Sequence, residues 1–269
     1  MDRRGFHAAA LAGALTALSA SAHAAPQSQR MKPDHDMSAF PPSWTRADRI
    51  AMLLYPGFTA LDLVGPQYMF GNLMGATVHL VAETEAPVES DTKLSIVPTV
   101  TFAGSPRDLD LLFVPGGGQG TLAAMRNGAL IDFVADRGAR AGLVTSVCTG
   151  SLVLGQAGLL RGYRATSHWV TLGLLGAFGA TAVDARVVED RNRITGAGVS
   201  AGLDMGLRVI ERMRDRQYAE AVQLLAEYAP QPPFAAGTPA TAPAETTALI
   251  GGMFDGLLGE MRDVARAAR

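Results

Sequence analysis

The chain has 269 residues, 48% of them hydrophobic and 18% charged, with a formal net charge of −2. That is enough apolar material for one substantial core, and the near-neutral balance speaks against wholesale disorder and against a nucleic-acid partner. A single cysteine excludes an internal disulfide framework. Only His79 and His168 lie in the part expected to fold, so a His/Cys metal cluster is not expected either.

Residues 1–25 read as an export signal. Arg3-Arg4-Gly5-Phe6 precedes an Ala/Leu/Gly-rich run, and Ala22-His23-Ala24 is a small–x–small cleavage pattern. The paired arginines and the mild, Ala-rich core point to the twin-arginine type, with an ordinary secretory signal as the alternative. The run is too short for a membrane anchor, and no later stretch offers about 20 unbroken apolar residues. The expectation is a mature periplasmic protein without stable membrane insertion. Residues 26–45, rich in Pro, Ser, Gln and charge, read as a flexible linker.

An α/β domain is expected over residues 46–230. Residues 50–55 form a continuous apolar run broken by Pro56-Gly57, as a buried strand does. Residues 59–73 follow with helical spacing through Leu61, Val64, Tyr68 and Leu73. Strands are predicted at 77–82, 110–114, 142–145, 165–167, 186–189 and 193–195. Helices are predicted at 120–125, 130–138, from 149 to a stop between 155 and 158, and at 169–175, 200–215 and 217–228. Residues 231–269 comprise a Pro/Ala/Thr-rich segment and one amphipathic helix, whose stripe of Leu249, Ile250, Met253, Phe254, Leu257, Leu258, Met261 and Val264 should pack on its own domain or on a partner subunit.

Strands alternating with helices predict a doubly wound, mostly parallel sheet with helices on both faces. Ligands bind such sheets at the carboxyl ends of the strands. Pro56-Gly57, Pro115-Gly116-Gly117 and Cys148 all fall just past strand ends.

The chemistry centres on Ser146-Val147-Cys148-Thr149-Gly150. An apolar strand runs into a reactive residue and then directly into a helix, with small residues two positions either side, which is the pattern of a nucleophile elbow. The bend should expose Cys148, and the helix N-terminus should favour its thiolate; the alternative is a buried cysteine acting as a small hydrophobe. A cysteine nucleophile needs a proton-transfer partner and anion-stabilising donors. Asp62, among apolar neighbours at the start of the first helix, is either a buried acid titrating near neutrality or a helix-start carboxylate of purely electrostatic role. Gly117 either offers its N–H to a ligand or makes a tight turn. His168, beside an apolar segment, reads first as a structural residue.

Ser146-Val147-Cys148-Thr149-Gly150-Ser151 and Ala165-Thr166-Ser167-His168-Trp169 resemble the ThiJ/PfpI superfamily, with its flavodoxin-like, class I glutamine amidotransferase-like fold. The likeness extends to Leu61-Asp62-Leu63-Val64-Gly65-Pro66, Gly155-Gln156-Ala157-Gly158-Leu159-Leu160 and Glu227-Tyr228-Ala229-Pro230-Gln231-Pro232-Pro233-Phe234, and within the superfamily it is greatest to the isonitrile hydratases. The resemblance implies hydration of an isonitrile to an N-substituted formamide through a thioimidate. Cys148 would be the nucleophile and Asp62 the general acid/base. The Gly117 and Thr149 amides would stabilise anionic charge, with Gly150 and His168 in support. It implies a small-molecule substrate, no metal or organic cofactor, and a homodimer.

Two other readings stay open. The protease-like branch carries histidine directly after the cysteine, where this chain has Thr149, so peptidase activity is not expected. The glyoxalase/deglycase-like branch usually has Glu at the position of Asp62. Other relatives are the sensing halves of transcription regulators with an appended helix-turn-helix, and a non-enzymatic periplasmic ligand or redox sensor is the alternative from that side.

Overall fold

The most apolar runs of the sequence become the buried strands of one sheet in the computed structural model, which describes residues 40–267. The strands are β1 (Arg49–Leu53), β2 (Thr77–Ala82), β3 (Val88–Glu89), β4 (Ser95–Ile96), β5 (Val100–Thr101) and β6 (Leu111–Val114). They continue with β7 (Leu143–Val147), β8 (Arg164–Ala165), β9 (Thr181–Ala182), β10 (Val187–Asp190) and β11 (Arg193–Gly196). Among the described residues seven strands join in the order β10-β11-β7-β6-β1-β2-β5, all parallel except the β10–β11 pair. β6, β7 and β11 are buried along their whole length, as strands covered on both faces must be. The short strands β3, β4, β5 and β9 lie outside the predicted set, because two-residue ladders leave no periodicity to read.

The register brings the strand ends level. Val114 pairs with Ser146 and Val147 with Gly196, so the segments after β6, β7 and β11 emerge side by side. Chain order runs outward from β1 in both directions, which makes the crevice at β1 and β6 the switch point where doubly wound sheets bind ligands.

The helices are α1 (Ala60–Gly71), α2 (Gly118–Arg126), α3 (Gly128–Arg140), α4 (Gly150–Gln156), α5 (Ala201–Met213), α6 (Arg216–Leu225), α7 (Ala244–Met253) and α8 (Asp255–Ala267). α1 packs on α5 and α5 on α6, while α2, α3, α4 and α8 form a second packed group. The α1–α5 crossing is close because Gly202 and Gly206 stand against Pro66 and Met69, where added Cβ atoms would sit 3.1 and 2.8 Å from those side chains.

Four details differ from expectation. Of Leu61, Val64, Tyr68 and Leu73, only Leu73 is buried; α1 turns Asp62, Leu63, Pro66, Met69 and Phe70 inward instead. This helix is apolar almost all round, so spacing could not choose its inner face. The segment expected as a helix over 169–175 is a 3₁₀ helix at Leu172–Phe178. The single C-terminal helix is two, α7 and α8, with Phe254 between them. Leu257 and Met261 bury against the domain, whereas Leu249 and Met253 are exposed. Trp44, within the stretch read as linker, is buried and donates its indole N–H to Asp215 at 2.6 Å. The export signal lies outside the described residues.

Candidate active site at the end of β7

β7 ends at Val147 and α4 starts at Gly150, so the chain reverses within two residues. Cys148 takes φ +58°, a left-handed conformation that non-glycine residues adopt only under constraint. Its N–H donates to the carbonyls of Gly196 and Ala197 at 3.1 and 2.7 Å. Its own carbonyl accepts from the hydroxyls of Ser151 at 3.2 Å and Ser167 at 3.1 Å. Both peptide groups of the bend are therefore held from outside it. A Cβ on Gly150 would stand 2.4 Å from the Val114 carbonyl oxygen and 2.6 Å from that of Pro115. Since those are backbone atoms of β6 and its exit, they cannot move aside. Gly150→Ala should cost about 3 kcal/mol of stability, seen as a lowered Tm in thermal melts.

Gly116 is the meeting point of the site. A Cβ there would fall 2.6 Å from the Thr149 nitrogen and 2.7 Å from both Asp62 Oδ2 and Thr149 Oγ1, so only glycine lets these groups converge. The Gly116 N–H donates to Asp62 Oδ2 at 3.0 Å. The Gly117 N–H, expected to face a ligand, donates to Thr149 Oγ1 at 2.9 Å. That hydroxyl continues a buried chain: Thr149 to Thr121 at 2.7 Å, Thr121 to Tyr55 at 3.1 Å, and the Tyr55 hydroxyl donating to the Pro115 carbonyl at 2.7 Å. Because Tyr55 spends its one proton on Pro115, Thr121 donates to Tyr55 and Thr149 to Thr121. Of the two predicted anion-stabilising amides, Gly117 is thus already engaged, while the Thr149 amide acts on the Cys148 thiol.

Burial governs the protonation of the pair. Asp62 is 0% exposed, and its pKa is pushed up to about 7 by desolvation, against the pull of the Gly116 N–H and the Cys148 thiol, with the negative charge of Asp91 raising it further. The sequence left Asp62 open between an acid titrating near neutrality and an electrostatic carboxylate; this environment is that of the former. Cys148 corrects the expectation of an exposed, activated thiol. It is 5% exposed, and desolvation, then the charge of Asp62, raise its pKa well above the ordinary thiol value, outweighing the Thr149 amide. The helix N-terminus is too weak a source of potential to offset removal from water. Near neutrality it is therefore the carboxyl that ionises while the thiol keeps its proton.

The thiol opens onto a cavity of about 350 Å³. Its walls come from Gly57 and Thr59 before α1, the first turn of α2, Thr149, His168, Val170, Val199, Phe254 and Asp91. Asp91 sits on the β3–β4 hairpin and Phe254 at the α7–α8 junction. His168 is half-buried, and desolvation lowers its pKa, so it is neutral at pH 7. Its Nδ1 accepts from the Val170 N–H at 3.4 Å, and its ring lies 6.1 Å from that of Phe254. Among the described residues it makes no hydrogen bond to Cys148, which makes it wall rather than base. No group of three or more His, Cys, Asp or Glu among the described residues is placed to hold a metal ion.

Residues 48–212 match the DJ-1/PfpI family. The chain belongs to that family. It is 47% identical over 196 residues to an isonitrile hydratase from Pseudomonas putida, covering 72% of this chain and 85% of that one. It shares 32% identity over 191 residues with the HTH-type transcriptional regulator GbdR of Pseudomonas aeruginosa, covering 68% of this chain and 51% of the regulator. Among solved structures, a THiJ/PfpI family protein from Pseudomonas syringae superposes with a TM-score of 0.82 at 52% identity, over 92% of this chain and 99% of that one.

In this DJ-1/PfpI chain the fold brings Cys148, Asp62, Gly117, Thr149 and Gly150 together at one strand-end cluster, with His168 across the cavity. Sequence reasoning missed Gly116, Tyr55, Thr121, Ser167, Asp91 and Phe254. Gly116 was legible as part of the glycine run. Ser167 stood within the quoted motif, but nothing in a sequence says that its hydroxyl reaches 19 residues back to a carbonyl.

Proposed function

We propose that the chain hydrates an isonitrile to an N-substituted formamide, with Cys148 as nucleophile and Asp62 as general acid/base. The observation that carries this reading is a buried carboxyl of pKa about 7 interacting with the only thiol, in a chain 47% identical to an isonitrile hydratase. The terminal carbon of R–N≡C is an electrophile that becomes basic once attacked. As Sγ bonds to it, the thiol proton passes to Asp62 and from there to that carbon, giving the thioimidate R–N=CH–S–Cys148. Asp62 then takes a proton from water as its oxygen adds to the same carbon, and the nitrogen is protonated. Collapse expels the thiol and releases R–NH–CHO. Charge that develops on sulfur meets the Thr149 amide, and no step calls on a cofactor.

The test is to incubate the purified chain with a simple alkyl isonitrile and quantify formamide. Turnover by the native chain is the expected result. A thiol that alkylates readily while no formamide appears would overturn the hydratase reading. That outcome would favour a non-enzymatic sensor, the reading supported by likeness to a transcriptional regulator over 51% of the latter's length.

Two further proposals concern setting. The leader-like residues 1–25 support export to the periplasm, and cell fractionation with Arg3-Arg4 replaced by Lys-Lys should leave the precursor in the cytoplasm. Leu61, Val64 and Tyr68 form an exposed apolar stripe on α1, which supports a homodimer built on that helix. Light scattering should give twice the chain mass, and Val64→Lys should halve it.

A further inference from the structure

The cavity beside Cys148 carries an unbalanced charge. Of the side chains lining it, Asp91 is the one acidic residue; the rest are glycines, Thr59, Gln119, Cys148, Thr149, the neutral His168 and apolar groups. Among the described residues no lysine or arginine pairs with Asp91, and the nearby Lys93 is held by Glu89 at 2.7 Å. Behind the thiol stands a second carboxylate, Asp62, whose ionisation responds to Asp91. A space of about 350 Å³ is roughly 9 Å across, within the ~10 Å screening length of 0.1 M salt. A molecule bound there therefore feels Asp91, joined by Asp62 whenever that carboxyl is ionised, and meets no cationic side chain on the cavity wall.

Asp91 also has a local task. Its Oδ1 accepts from the Ala60 N–H at 3.0 Å, serving the exposed N-terminus of α1. One carboxylate oxygen suffices for that bond, and an uncharged Asn or Ser makes it equally well. The full charge at the cavity wall is thus more than the helix start requires.

We propose that this pocket selects a small substrate whose body carries a positive charge, and that Asp91 makes the selection. The reacting group sits at Cys148, and an ammonium or protonated amine on the remainder lies against Asp91, while the apolar walls take the connecting carbons. Substrates bearing a carboxylate or phosphate are turned away by the same field. The proposal deepens the hydratase reading by naming its substrate class, but the charge of the cavity can be read without turnover.

The experiment uses the single cysteine of the full chain. Cys148 is labelled with three methanethiosulfonates: 2-(trimethylammonium)ethyl, 2-sulfonatoethyl and methyl. In each reaction the sulfur of Cys148 attacks the reagent's divalent sulfur, forming a mixed disulfide and releasing methanesulfinate. Rates are normalised to those of a free small thiol. The cation should outpace the anion by about tenfold at low salt. In Asp91→Asn that ratio should fall about threefold or more, each rate being taken relative to the same variant's rate with the neutral reagent, which absorbs any change in the thiol itself. Asp91→Ser, which keeps an acceptor for Ala60, repeats the measurement should the first variant fold poorly. An equal ratio in native chain and variants overturns the proposal, even if the chain hydrates isonitriles. A selective ratio without formamide production upholds the cationic preference and overturns only the hydratase reading. With turnover in hand, an ammonium-bearing isonitrile should show a lower KM than its neutral isostere, and Asp91→Asn should erase the difference.

Discussion

Cys148→Ser should abolish formamide production, lowering kcat/KM by about 10³-fold or more. The substitution changes one atom and keeps the elbow, since serine tolerates the same φ of +58° no worse than cysteine and its backbone contacts to Gly196, Ala197, Ser151 and Ser167 are unchanged. The loss is chemical. A base whose pKa is about 7 can accept a proton from a thiol as a bond to carbon forms, but an alcohol is several units less acidic and a poorer leaving group from the tetrahedral carbon. Steady-state rates with an alkyl isonitrile, alongside melting curves showing a native-like fold, make the comparison. A serine enzyme with full activity would sink the covalent mechanism.

Asp62→Asn comes second, with an expected loss of about 10²–10⁴-fold and a change in the shape of the pH profile. In the native chain the reactive form of the pair carries one negative charge, so the rate should rise as pH passes through about 7 and then level off. Without the carboxyl the only remaining ionisation is that of the thiol itself, which burial holds well above its ordinary value. The acid limb should therefore move to much higher pH. A variant retaining an inflection near 7 would remove Asp62 from the mechanism.

The same substitution carries a stability signature of definite sign. The pKa of Asp62 is raised from 3.8 to about 7 on folding, so between those values the native state binds the proton that the unfolded chain has released. Stability is accordingly lost as pH rises from about 4 to about 7, reaching a penalty of about 4 kcal/mol above that window. Asp62→Asn escapes the penalty, offset in part by burying an amide N–H without a partner. Its Tm relative to the native chain should increase from pH 5 to pH 8 and not beyond. An acid kept inside at such a cost is the usual trade of stability for function.

Much of this was legible because it depends on local order. Strand lengths, the reversal at Cys148 and the need for small residues beside it follow from steric rules acting over a few residues, and apolar runs punctuated by glycine and proline announce a parallel sheet. The nearly uniform apolar character of α1 was a different case: its periodicity fitted more than one inner face, and only packing against Gly202 and Gly206 on α5 turned Asp62 inward. Protonation was likewise beyond the sequence. The helix N-terminus behind Cys148 could be foreseen, but whether it or desolvation prevails depends on how much water the folded walls exclude.

By itself, then, the sequence determined the sheet and the elbow, since covalent geometry and hydrophobic periodicity act along the chain, and it singled out Cys148 and Asp62 as the candidates for nucleophile and acid. The tertiary structure alone decided that the thiol is buried and protonated, that Thr149 occupies the Gly117 amide, and that Asp91 from a distant hairpin and Phe254 from the far end of the domain share one cavity. Those are long-range contacts, and the solvation and field they create arise from groups brought together only by folding.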